Sequence, residues 1–307
     1  MGKESRFAGR GGALWATTLV LAATEAAAGA GISTDGSMGV AARTIVGVNA
    51  APGTYAIPQS DGRVAGNNLF HSFSRFHIDA GQTANFTTST ATLANVISRV
   101  TGGARSDIYG QLRLSAAGSS RPAFYFINPA GVVFGQGASI NVPGAFHVST
   151  ADYLKFSNGD IFFANPAKPG STFSSAPPAA FGFLAGSGGK VSVIGGTISA
   201  LGAGQAVTVV GRDVELDGGV IFTTNGDIRV AAVGLPSVEV CLAGELPLAY
   251  GALQLVNQAS IKSVALADVK AGDIAVSAGN INLDKSDVDR KKHTSELQSP
   301  CNLVCRL

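Results

Sequence analysis

The chain has 307 residues, a formal net charge of +2, only 14% charged residues and 40 glycines. The near-neutral balance and the lack of a basic stripe give a nucleic-acid partner no electrostatic footing. An apolar content drawn from Ala, Val, Ile and Phe, together with frequent Thr, Ser and Gly, points to an all-β protein with many corners and few salt bridges. Length alone leaves open one elongated domain or two compact ones.

Residues 1–30 read as a signal peptide. Lys3, Arg6 and Arg10 make a basic start, Ala13 to Ala23 is an apolar run, and Ala26-Ala27-Ala28 offers a small-residue cleavage site. The run is too short for a membrane anchor crossing about 30 Å of hydrocarbon. From Ile32 to Ala65, Asn49-Ala50-Ala51-Pro52-Gly53 and Ser60-Asp61-Gly62 mark corners between short β segments. Asn67 to Ile78 then crowds Leu69, Phe70, Phe73, Phe76 and Ile78 together, which reads as a segment inserted into a core.

Leu93 to Val100 is ambiguous. Leu93, Val96, Ile97 and Val100 fit a helical face, but β-branched residues and the following Thr-Gly-Gly favour a strand. Ile108 to Leu114 alternates Ile108, Gly110, Leu112 and Leu114 and is expected to be a single strand. The central stretch runs from Arg121 to Ala151 around Asn128-Pro129-Ala130-Gly131. Proline presets φ for the second position of a type I turn, while Asn suits the first and Gly the fourth, so these four residues form a tight corner. On either side lie the β-formers Phe124 to Ile127 and Val132 to Phe134, and Ile140, Val142, Phe146 and Val148 recur beyond them.

After Tyr153 the prolines Pro166, Pro169, Pro177 and Pro178 argue against a central strand, since each lacks a donor, and predict a surface excursion. From Lys190 short alternating segments recur at Val191-Ser192-Val193, Val207-Thr208-Val209, Ile228-Arg229-Val230, Ile274-Ala275-Val276 and Ile281-Asn282-Leu283. The first three are separated by roughly 16 to 21 residues, which suggests one solenoid coil per repeat. About a dozen coils stacked at about 4.8 Å would make a rod on the order of 60 Å. A β-sandwich competes, but it favours hairpins over so regular a return of one pattern. Lys285 to Leu307 breaks the alternation with eight charged residues and reads as a disordered tail or as translated adapter readthrough.

The run FINPAGVVFGQGASINVPGAFHVSTADYLKF, with NNLFHSFSRFHI, GQTANF and NVISRVTGG upstream in the same order, resembles the two-partner secretion domain of filamentous-haemagglutinin-like exoproteins. The family often has Asn-Pro-Asn-Gly where this chain has Asn128-Pro129-Ala130-Gly131, and a second Asn-Pro-Asn-Leu motif has no clear match. The resemblance implies a right-handed parallel β-helix with an N-terminal cap. It divides the chain into a secretion domain at 31–190, continuing repeats at 191–284 and a tail at 285–307. It also implies an exported adhesin recognised by a dedicated outer-membrane β-barrel transporter with periplasmic recognition domains. Asn128, Pro129, Ala130 and Gly131 are then the candidate secretion motif, and Asn67, Asn68 and Leu69 are candidates for transporter recognition. A host-surface or carbohydrate ligand is a further expected partner. The three cysteines, Cys241, Cys301 and Cys305, form no disulfide framework, which suits a chain threaded unfolded through a pore.

Catalytic chemistry is the competing reading. Alternation puts Asp213, Glu215 and Asp217 on one face, where three carboxylates would suit Ca²⁺ or a polysaccharide lyase or hydrolase. The same pattern describes any solvated strand face. His71, His77, His147 and His293 lack metal-ligand spacing, and neither a nucleophile elbow nor a complete phosphate loop is present. The expectation is a protein with no catalytic activity, metal or cofactor.

Overall fold

The computed structural model describes residues 31–47, 53–186, 188–200, 202–265 and 270–292. The predicted signal peptide and residues 293–307 of the predicted tail lie outside these. The described chain is all-β apart from a single 3-10 turn at Gln59–Asp61.

Four sheets of mostly parallel strands form the three faces of a β-helix. The first face stacks Asn68–Phe76, Asn95–Val100, Ala123–Ile127, Phe146–Ser149, Val207–Gly211, Ile228–Ala232 and Ile274–Ala278 in that order. The second stacks Ser106–Ile108, Val132–Phe134, Val191–Ile194, Val214–Asp217, Ala252–Val256 and Asn280–Leu283. The third is made of two four-stranded sheets, one from Thr54–Pro58 to Ser139–Asn141 and one from Thr197–Ser199 to Asp287–Lys292. Thr197 N donates to Ala138 O at 3.1 Å where the two meet.

Inward positions align by register. Leu69, Val96, Phe124, Phe146, Val207, Ile228 and Ile274 form one column of the first face. All seven belong to the main core, whose phenylalanines Phe73, Phe76, Phe86, Phe124 and Phe126 meet edge to face or stacked. Each such ring contributes about 1.5–3 kcal/mol through burial. At the N-terminal end Ile32–Thr34 runs antiparallel to both Thr44–Ile45 and Asn68–Phe76, so the edge of the first face is covered.

Several expectations change on the structure. Asn95–Val100 is a fully buried strand: with both faces of its sheet covered, the period-two signal disappears and a helical spacing arises by chance. Ile108 to Leu114 is two strands on different faces, Ser106–Ile108 and Gln111–Ser115, because Gly110 is a corner rather than an inward strand position. Val191 and Val207 lie on different faces, so only the step from Val207 to Ile228 is a whole coil. The stacked strands of the first face give about seven coils, fewer than a uniform repeat implied, because long insertions interrupt the coil after Ser149 and the coil after Ala232.

The larger insertion is the proline-rich segment. It contributes Tyr153–Phe156, Ile161–Phe163 and Pro178–Phe183 to a four-stranded antiparallel sheet completed by Val238–Cys241. Pro178–Phe183 is an inner strand of that sheet. Pro178 is tolerated because it stands first in its strand, at the irregular step opposite Phe156. The alternation-breaking residues from Lys285 also contain a strand, Asp287–Lys292, paired in parallel with Ser260–Ala265.

Candidate functional site

The corner Asn128 to Gly131 joins the first face to the second. Gly131 N donates to Asn128 O at 3.0 Å, closing the predicted turn, and Gly131 takes φ 118°, a conformation open to glycine but strained for other residues. The Asn128 side chain is used at both ends: Oδ1 accepts from Ala130 N at 3.0 Å, and Nδ2 donates to Ala104 O at 3.0 Å and Ser106 Oγ at 2.9 Å. Asn128 is only 1% exposed.

The next coil closes over the corner. Gly189 N donates to Pro129 O at 2.7 Å, and Val132 N donates to Lys190 O at 3.1 Å. A Cβ on Gly189 would stand 2.2 Å from Gly131 N, so the backbones approach too closely for any side chain there. The corner is thus bonded to the coil below through Ala104 and Ser106, and to the coil above through Gly189 and Lys190. Pro129 and Ala130 stay half-buried.

The second group of candidates divides. Asn67 is exposed, and its carbonyl accepts from Ala94 N at 2.8 Å. Asn68 is buried, donating through Nδ2 to Ser174 O at 2.8 Å and Ala176 O at 2.7 Å while its Oδ1 accepts from Asn95 Nδ2 at 2.7 Å. Leu69 lies wholly in the main core. Asn68 and Leu69 therefore stand apart from the Asn128 corner, on the first coil, and hold the fold together.

Residues that the sequence reading passed over make a third cluster. Arg99 is buried, with Nε donating to Ser72 Oγ at 2.8 Å, one terminal nitrogen to Phe163 O at 2.6 Å and the other to Ser37 Oγ at 2.9 Å. Its guanidinium lies 4.3 Å from the Phe162 ring centroid. Asp35 accepts from Ser72 Oγ, Thr101 Oγ1, Ser37 N and Ser37 Oγ. Burial works to raise the Asp35 carboxyl, but these hydrogen bonds together hold it below its ordinary range. Burial lowers Arg99 to about 10, opposed by the nearby Asp35 charge, so it remains cationic at neutral pH. The one available signal was a lone arginine inside the apolar run Asn95 to Val100.

The carboxylate row is engaged in the fold. Asp213 Oδ1 accepts from Ala252 N at 2.7 Å, Glu215 pairs with Lys190 at 2.5 Å, and Asp217 Oδ1 accepts from Asn257 Nδ2 at 2.7 Å. Among the described residues no group of three or more His, Cys, Asp or Glu side chains is placed to hold a metal ion.

A capped parallel β-helix with an outer antiparallel layer defines the class of protein: a solenoid of stacked coils. Compared with known families, residues 30–245 match the TPS secretion domain. The chain belongs to that family, the two-partner secretion domains, and the match continues well past residue 190. Among solved structures, the crystal structure of the HMW1 secretion domain from Haemophilus influenzae is similar at 17% identity and a TM-score of 0.41, covering 76% of this chain and 74% of that one. No curated protein matches the chain. Domains of this family belong to two-partner secreted proteins of Gram-negative bacteria and work with an outer-membrane transporter.

Proposed function

We propose that this domain is the address of a large filamentous-haemagglutinin-like exoprotein, read by the periplasmic domains of its dedicated transporter while the chain is extended. The observation that carries this reading is the burial of the candidate motif. In the folded domain both ends of the Asn128 amide are bonded, and Gly189 and Lys190 cover the backbone of the corner. A partner that reads Asn128 by its side chain must do so before the coil closes. The same holds for Asn68 and Leu69, whereas Asn67 stays accessible in both states.

Strand addition to an edge of the transporter domain fits such an extended segment, with main-chain hydrogen bonds supplying affinity and alternate side chains supplying selectivity. Outside the cell the capped first coil presents one free face, so later coils add in one direction. Each coil gained resists backsliding through the pore without nucleotide hydrolysis. In this scheme residues 31–190 carry the address, within a family match that extends to residue 245, and 191–284 extend the rod.

The test is a double replacement, Asn128→Ala with Pro129→Ala, followed by separate measurement of periplasmic and extracellular protein. Extracellular yield should fall at least tenfold while signal-peptide removal continues. An unchanged extracellular yield would sink the assignment.

A further inference from the structure

The first face of the β-helix is apolar on both sides. Its outward positions Phe70, Ile97, Tyr125, Ile127, Val210 and Ala231 form a second core with Leu154, Phe156, Phe162, Phe181, Phe183 and Val240 of the antiparallel sheet. Phe70, Ile97 and Tyr125 are direct neighbours in register, so they form an outward apolar strip across three successive coils. Phe162 meets Phe70 edge to face at 4.9 Å, and Phe181 lies 6.4 Å from Tyr125.

Buried polar groups fasten the same two layers. Asn68 holds the backbone of Ser174 and Ala176, and Arg99 holds Phe163 O. Arg212 donates to Gly234 O at 2.8 Å, to Pro236 O at 3.1 Å and to Leu184 O, and it pairs with Asp152 at 3.3 Å. Arg99 also joins the cap through Ser37 and the coils through Ser72. The cap, the early coils and the antiparallel sheet therefore share one set of side chains. Most of these partners are separated by 60 or more residues in the chain.

We infer that the antiparallel sheet is a clasp: coils from Asn68 to Ser149 do not settle until the chain has arrived as far as Phe183. Coils that leave Phe70, Ile97, Tyr125 and Ile127 in water have the whole outer side of their first face uncovered, with only the inward core closed. The bonds from Asn68 to Ser174 and Ala176 and from Arg99 to Phe163 need residues still to follow. Long-range closure of this kind is slow, because chain ordering precedes the contacts that compensate it. The clasp keeps the coils from Asn68 to Ser149 extended and threadable, and makes the first stable unit outside the cell much larger than a single coil. That consequence for export rests on the transporter reading above. The coupling itself is a property of the folding chain and is tested without a transporter.

The experiment is pulse-labelled hydrogen exchange during refolding of the full chain. Amides of Asn95–Val100 and Ala123–Ile127 are expected to gain protection in the same kinetic phase as those of Phe181–Phe183. Earlier protection of the coil amides by a separate phase would overturn the clasp. Native-state exchange of Phe162→Leu, which keeps an apolar side chain, supplies the second arm. Protection should fall by a common factor, roughly threefold or more, in both segments. A loss confined to the antiparallel sheet would equally overturn the proposal. Failure of the secretion test with intact coupling would remove only the transporter reading.

Discussion

At the scale of single residues, the corner at Asn128 is a matter of clearance and conformation. Gly131 supplies a φ that other residues adopt only with strain, and Gly189 supplies the space for the coil above to close down on it. Replacing Gly189 with Ala sets a Cβ against backbone atoms that cannot rotate away. The expected loss is about 1–3 kcal/mol, as for other overpacked sites, read from the shift in denaturant midpoint at constant slope. Proline, asparagine and glycine in this order announced the turn from local chemistry alone. Gly189 carried no comparable signal, since its role comes from a backbone far away in the chain.

At the scale of elements, the asparagine pair at 67 and 68 shows how neighbours diverge. Asn68 ties the first coil to the proline-rich insertion and to Asn95, while Asn67 faces solvent. Asn68→Ala would leave buried acceptors without their donor and should cost about 1–3 kcal/mol. Asn67→Ala should stay within about 0.5 kcal/mol, as exposed substitutions do. Equilibrium unfolding of the two variants separates the cases, and equal stabilities would contradict the latch. The proline-rich insertion was recognisable as a departure from the coil, but its antiparallel sheet was not. Pro177 and Pro178 argue locally against pairing, and only the outward apolar strip on the first face explains why a sheet forms there.

At the scale of the whole molecule, burial of histidine couples stability to pH. His71 lies in the main core beside Phe73 and Phe86 with both ring nitrogens unpartnered, and His147 stacks on Tyr125 at 4.4 Å between centroids. Burial pushes His71 down to about 3; His147 is pushed down to about 3 as well, chiefly by burial, with the Arg229 charge acting in the same direction. Their ordinary value is near 6.5, so the unfolded chain binds more protons than the folded one between about pH 6.5 and 3. Stability is therefore fully present above about pH 6.5 and declines as the pH falls to 3, by up to about 1.4 kcal/mol per unit for each histidine. His71→Phe should flatten that slope in urea titrations at several pH values. An unchanged slope would show that His71 does not carry it.

The sequence by itself determined the all-β class, the glycine and proline corners, the alternation within single strands and the resemblance to a secretion domain. Those features depend on local geometry and on period-two alternation, which a strand expresses residue by residue. Tertiary structure decided which segments share a face, why Asn95–Val100 is a strand, and what covers the first sheet. It also turned Asn68, Arg99 and Arg212 into fasteners between distant segments. The physical reason is that a solenoid face buried on both sides loses its alternation, and a polar latch has no local signature when its partner lies 60 or more residues away.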